Sequence, residues 1–259
     1  MSPRQSVIRV HLVNPAKLSM SVNMMARFWV GVSGFSYASW KGVFYPEATK
    51  SNEMLEAYAK KLNSVEVNSS FYHMPTQATT SKWANSTPQD FRFSFKASRK
   101  ITHFKKLKGA KTEFEFFLKG LKPVKTKLGC VLVQLPPYMK QDYETLETFL
   151  NEKPDWASIA IEFRHISWFG SKLNNLLSKY NVALCIADTE DMKPVFEKTA
   201  SFTYARLRHE RYSKGDLKEW SEKLMKFASN LENCFIYFMH DETGDAANLA
   251  AGFDKLLIR

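Results

Sequence analysis

Ser158-Ile159-Ala160-Ile161-Glu162-Phe163-Arg164-His165-Ile166-Ser167-Trp168 starts as a β-strand and ends as a cluster of reactive side chains. Its opening run is apolar with little polar alternation, as in a parallel strand buried on both faces. The residues that follow place a carboxylate, a guanidinium, an imidazole and an indole just past the strand's carboxyl end, where parallel α/β proteins build their sites. The same arrangement recurs along the chain. His73, His103, His209 and His240 each also lie just beyond a short apolar run.

Strand-like runs fall at 28–33, 64–69, 91–97, 130–135, 158–163, 182–187, 202–207 and 234–239. Between and after them, helical patterns occupy 52–62, 79–86, 112–122, 142–152, 171–180, 215–230 and 246–258, with a shorter helix expected near 192–198. Eight strand and helix units predict an α/β fold, a TIM-barrel-like (β/α)8 barrel in a single domain. The competing doubly wound open sheet lacks the Gly-x-Gly-x-x-Gly turn that would support it.

Composition agrees. The chain has 259 residues, 44% hydrophobic and 14% aromatic, enough to bury a sizeable core. Cys130, Cys185 and Cys234 lie apart inside apolar runs and read as buried core residues, favouring a reducing, cytoplasmic compartment. No apolar run has the length of a membrane span. Residues 1–27 lack the later alternation, and Asn14-Pro15 interrupts any helix, so they are expected to form a flexible extension to a domain at 28–259.

The net charge of +11 is local. Residues 1–46 hold five basic residues and no acid, and residues 96–127 hold eleven basic residues against Glu113 and Glu115. Such a strip is either a solvated lysine-rich surface or the footprint of an anionic partner, a small molecule or nucleic acid. The sequence leaves the oligomeric state open.

Strand parity sorts the polar residues. With Phe91, Phe93 and Phe95 facing one way, Lys96 faces into the barrel mouth, and the same alternation pairs Glu66 with Asn68, Glu162 with Arg164 and Arg206 with Arg208, with Gln134 and Asp188 near strand ends. One reading of this set is structural: Glu66, Glu162 and Asp188 neutralised by Lys96, Arg164 and Arg206. The other is a site. In it Glu162, Glu66, Asp188 and His165 carry acid/base chemistry, while Lys96, Arg99, His103, Arg164 and Arg206, with Asn68, Gln134, Tyr37, Tyr72 and Trp168, bind substrate. His240 and Asp241, joined by Glu162 or Asp188, are a candidate ligand set for a divalent metal, although no short metal motif is present. There is also no Walker loop and no nucleophile elbow.

Several blocks carry a family resemblance: Gly31-Val-Ser-Gly-Phe-Ser-Tyr-Ala-Ser-Trp40, Leu62-Asn-Ser-Val-Glu-Val-Asn-Ser-Ser-Phe-Tyr-His-Met-Pro75, Phe91-Arg-Phe-Ser-Phe-Lys-Ala-Ser-Arg-Lys-Ile-Thr-His103, Leu128-Gly-Cys-Val-Leu-Val-Gln-Leu-Pro-Pro137 and Glu162-Phe-Arg-His-Ile-Ser-Trp168. In order and spacing they resemble the YecE-like family, domain of unknown function 72. The resemblance implies a TIM-barrel-like fold and no established activity. It weakens at Arg206-Leu-Arg208-His209 and Phe238-Met239-His240, where relatives tend to read Arg-Leu-His-Gly and Phe-Asn-Asn. The function expected from the residues is an enzyme, hydrolase-type with phosphodiester cleavage as one form, acting on a phosphate-bearing nucleotide or nucleic acid. A non-catalytic nucleic-acid-binding protein and a carbohydrate-processing enzyme with paired carboxylates remain open beside it.

Overall fold

Apolar strands that are each followed by an amphipathic helix can bury both faces only by curling into a ring with the helices outside. The computed structural model describes residues 26–239 and 242–257, and in them this ring forms. Its strands are β1 (Arg27–Val32), β2 (Ser64–Val67), β3 (Arg92–Lys96), β4 (Leu128–Gln134), β5 (Ile159–Glu162), β6 (Ala183–Asp188), β7 (Phe202–Leu207) and β8 (Asn233–Phe238). Around them lie α1 (Met54–Ala59), α2 (Gln77–Asn85), α3 (Lys111–Leu121), α4 (Tyr143–Asn151), α5 (Ser171–Lys179), α6 (Lys214–Ala228) and α7 (Asp245–Asp254). The paired strands are parallel, in the order β1-β8-β7-β6-β5-β4-β3-β2.

Two expectations change. Ala26 is buried and Arg27 pairs with Asn233, so the domain starts inside the segment assigned to the extension; residues 1–25 lie outside the described residues. No helix forms at 192–198. Pro194 interrupts that segment and supplies no backbone N–H. Phe196 instead packs flat on Trp220 at 5.9 Å, and Thr199 Oγ1 accepts from Leu184 N and donates to the Val182 carbonyl, so the crossover is fastened in extended form.

The ring closes between β1 and β2 largely through side chains. Asn63 Oδ1 accepts from Val30 N at 2.7 Å and its amide donates to the Phe28 carbonyl at 3.0 Å. Tyr58 Oη accepts from Val32 N at 2.8 Å and donates to the Ser64 carbonyl at 2.9 Å. Gly31 permits the close approach, since a Cβ there would stand 2.0 Å from the Ser64 carbonyl oxygen. One backbone bridge, Ser33 to Glu66, completes the seam at the top.

Alternation then makes two cores. Phe93 and Phe95 point outward and stack near Trp83 of α2, within the larger core between strands and helices. The barrel interior is filled by Trp29, Leu132, Tyr204, Phe235, Tyr237, Cys130 and Cys185 among others, and is packed rather than hollow. All three cysteines are buried and unpaired. Above this plug, at the carboxyl ends of the strands, the interior becomes polar.

Candidate active site

Three strands deliver charges of opposite sign to one level of the barrel. Arg206 of β7 donates through Nη1 to Glu162 Oε2 of β5 at 2.6 Å and through Nη2 to Glu66 Oε1 of β2 at 2.9 Å. Glu66 also accepts from Ser33 Oγ and from the Tyr204 hydroxyl, both at 2.7 Å, and Glu162 accepts from Gln134 Nε2 at 2.6 Å. All three charged groups are buried. Burial on its own would raise both carboxyls, but the Arg206 charge and these donors hold Glu66 and Glu162 below the usual carboxylate range. Both are therefore ionised at neutral pH, suited to electrostatic stabilisation or to accepting a proton, and poorly suited to giving one. Arg206 Nε has no hydrogen-bond partner among the described residues.

More cations gather at this level and above it. Lys96 ends β3 facing inward, with its ammonium 4.4 Å from the Phe71 ring centroid. Burial and then the Arg206 charge push its pKa down to about 8, with Arg208 adding to this and Glu66 and Glu162 opposing it. Arg208 is depressed in the same way, by burial and then by Arg206. His103 rests edge-on against Phe71, ring centroids 5.0 Å apart, with Nδ1 2.9 Å from Thr102 Oγ1. Burial, then Lys96 and Arg164, lower its pKa, so its imidazole is neutral at neutral pH. Exposed Arg164 and buried Glu162 line a cavity of about 190 Å³ with Phe163, Thr189, Asp191 and Lys193.

Among the described residues Arg206 is ion-paired to carboxylates, whereas Lys96, Arg164 and Arg208 are not. The structural reading of the polar set thus covers only part of it. Arg206 neutralises Glu66 and Glu162; Asp188 instead accepts from the Tyr212 hydroxyl at 2.6 Å and meets His209 Nε2 at 3.2 Å. Two carboxylates at this level thus face Arg206, Arg208 and Lys96, and Arg164 shares the cavity above with Asp191 and Lys193.

Other expected site residues stand elsewhere. His165 uses Nδ1 to cap the short turn at Ile166–Trp168, accepting from Ser167 N at 3.2 Å. Trp168 was expected to meet a ligand but offers it no face: the ring is fully buried, tilted against Phe163 at 4.8 Å, and Nε1 donates to the Met139 carbonyl at 2.8 Å. An indole this large gains more from core burial than from exposure. The Tyr37 hydroxyl donates to the Ser33 carbonyl at 3.2 Å, and Asn68, with its Oδ1 buried, lines a separate cleft beside Phe35 and Trp83. Tyr72 is 60% exposed on the rim, where Arg99 lies 5.5 Å from its ring and 5.4 Å from that of Phe104. His240 and Asp241 lie outside the described residues, and among the described residues no group of three or more His, Cys, Asp or Glu comes together to hold a metal. Glu66 and Glu162, the richest carboxylate pair, have Arg206 where a cation would sit.

Tyr204, Ser33 and Arg208 were not proposed as site residues, yet they surround it. Tyr204 and Arg208 each lie two positions from inward Arg206, and Ser33 lies four positions from Trp29 of the barrel interior, so strand parity reaches all three.

Comparisons with known proteins agree with the barrel fold. A family model described as a protein of unknown function, DUF72, matches residues 29–259. The chain belongs to the DUF72 family. UPF0759 protein YunF of Bacillus subtilis (strain 168) is 24% identical over 243 residues, covering 79% of this chain and 86% of YunF. UPF0759 protein YecE of Escherichia coli (strain K12) is 31% identical over 116 residues, 44% of this chain and 43% of YecE. The crystal structure of a DUF72 protein from Thermotoga maritima superposes with a TM-score of 0.79 at 28% identity, covering 89% of this chain and 98% of that one. Among the described residues of this DUF72 protein no helix is long and apolar enough to cross a membrane.

Proposed function

We propose that this DUF72 protein is an enzyme that takes a phosphate-bearing substrate, a nucleotide or nucleic acid among them, at the carboxyl-terminal mouth of the barrel and acts on it by acid/base chemistry. The observation that carries the reading is the surplus of cations there: Lys96, Arg164 and Arg208 have no carboxylate partner among the described residues. Lys96 and Arg208, half-buried and without carboxylate partners, bind an incoming anion more strongly than the same groups fully in water, and exposed Arg164 adds its charge at the rim. Glu162 borders the cavity and serves as the carboxylate nearest the substrate, with Glu66 holding Arg206 from the other side. His103, neutral and beside Lys96, is the proton acceptor, with His165 at the rim.

The test is a panel of phosphorylated compounds and their dephosphorylated counterparts, followed by calorimetry at low salt. Arg208→Gln and Arg164→Gln are each expected to weaken binding of the phosphorylated form by about tenfold, the worth of one charged hydrogen bond. Glu162→Gln is expected to stay folded and lose turnover. Equal affinity for both forms in wild type and variants overturns the reading.

One observation favours a second reading, a nucleic-acid-binding protein without catalysis. Tyr72 and Phe104 are exposed beside Arg99, and exposed Tyr138 lies 5.1 Å from Lys106, an interleaving suited to stacked bases and their phosphates. That reading expects affinity for single-stranded oligonucleotides that falls steeply with salt, a shallower slope when Lys105, Lys106 and Lys108 are replaced, and no product.

A further inference from the structure

Lys96 is set unlike a simple anion clamp. The Ser70 hydroxyl donates to its carbonyl at 2.7 Å and fixes the backbone at the end of β3. The ammonium stands over Phe71, and the His103 ring meets the same phenyl ring nearly at right angles, centroids 5.0 Å apart. The charged groups that face it are Arg206 and Arg208 from β7 and its end, Glu66 from β2, Glu162 from β5 and His103 from the turn after β3. Both carboxylates are held by Arg206 and neutral donors, so neither pairs with Lys96, and two guanidinium groups stand against its protonation. With a pKa of about 8, roughly a tenth of Lys96 amines are free at pH 7, against a few in ten thousand for a lysine at the ordinary 10.5.

We infer that Lys96 is a covalent nucleophile whose amine condenses with the carbonyl carbon of a phosphate-bearing aldehyde or ketone to form an imine at the barrel mouth. The inference rests on the phosphate reading above and names the substrate class. In the first step the nitrogen lone pair forms the C–N bond, the carbonyl π pair moves to oxygen, and one proton passes from nitrogen to that oxygen, with His103 placed to carry it. In the second step the carbinolamine hydroxyl takes up a proton and leaves as water while the nitrogen lone pair forms the C=N bond, and the nitrogen then releases its remaining proton, balancing the one taken up. The sum is amine plus carbonyl to imine plus water. A proton on the imine nitrogen makes it an electron sink for the adjacent carbon. Arg208 and Arg164 hold the phosphate.

Pyridoxal 5′-phosphate, a phosphorylated aldehyde, is the probe. It is mixed with the full-length protein, the imine is reduced with borohydride, and labelled lysines are mapped and timed by peptide mass spectrometry on the wild type, so the result does not depend on a variant folding. Lys96 is expected to be labelled at least about tenfold faster than the exposed lysines of the 96–127 strip, at a rate that climbs as pH rises toward about 8 and then levels. Lys96→Arg is expected to lose that label alone. Labelling spread over exposed lysines with no preference for Lys96 overturns the inference. Unphosphorylated pyridoxal separates the two readings. Because pyridoxal closes on itself as a hemiacetal and is the less reactive aldehyde, its rate at Lys96 is taken relative to its own rate at the exposed lysines: the same preference for Lys96 as the phosphorylated probe leaves the imine standing and fells the phosphate reading, and a much smaller preference leaves both standing.

Discussion

In a Lys96→Met variant an apolar chain of similar length replaces the ammonium that β3 holds among Arg206, Arg208, Glu66 and Glu162. A fall from the ordinary 10.5 to about 8 means that folding disfavours the charged form. At ~1.4 kcal/mol for each tenfold change in proton affinity, that is about 3 kcal/mol at neutral pH. Partial solvent access and the lost contact with the Phe71 ring take back part of it, leaving a net gain of about 1–2 kcal/mol for the variant. The sign follows from linkage. Because the folded pKa lies below the unfolded one, the wild-type penalty is at full strength below about pH 8, fades as pH rises and is gone above about 10.5. Urea unfolding of both proteins from pH 7 to pH 10 reads this directly: the variant should be more stable at pH 7, and the difference should close by about pH 10. A variant no more stable than wild type at pH 7, or a difference that does not change with pH, refutes the reasoning. A stabilising loss of a mouth residue is what a group kept for function and not for folding would give.

Arg206→Met removes the shared partner of two buried carboxylates, which should cost about 3–5 kcal/mol at pH 7. Without the guanidinium the burial effect dominates and raises both carboxyls above their unfolded values. The cost should then shrink as pH falls toward about 4.5, and a cost that holds steady down to that pH would count against the triad. Tyr58→Phe leaves the Val32 N–H and the Ser64 carbonyl without their bridge, at about 2–4 kcal/mol for two buried hydrogen-bonding groups; thermal unfolding within about 0.5 kcal/mol of wild type would show that the β1–β2 seam does not depend on it. Gly31→Ala places a methyl group against the Ser64 backbone oxygen and should lower the melting temperature with a cost of about 1–3 kcal/mol, whereas an unchanged melt would mean the seam can widen freely.

Period-2 and period-3.6 patterns are local properties of the chain, and they suffice for the barrel, its strand count and the seven helices α1 to α7. The segment 188–201 escaped that logic, because Phe196 gains its partner from Trp220 of α6, which no local pattern reveals. The β1–β2 seam escaped for the same reason: Tyr58 and Asn63 stand in for a backbone ladder, and nothing near them in sequence distinguishes a seam-closing tyrosine from a core one.

At the mouth the division is equally physical. The alternation of side chains along a strand determined that Lys96, Glu66, Glu162 and Arg206 would share the barrel interior. Which of them pair was decided by register around the closed ring, and register is set by contacts between segments far apart in sequence. Closure gave Arg206 to both glutamates and Asp188 to Tyr212 and His209, and left Lys96 and Arg208 without carboxylates among the described residues. It also took Trp168 from the mouth into the core. The sequence determined which charges the mouth would hold; the tertiary structure decided which of them remain uncompensated, because the energy of a buried charge depends on its distance to the others and not on its place in the chain.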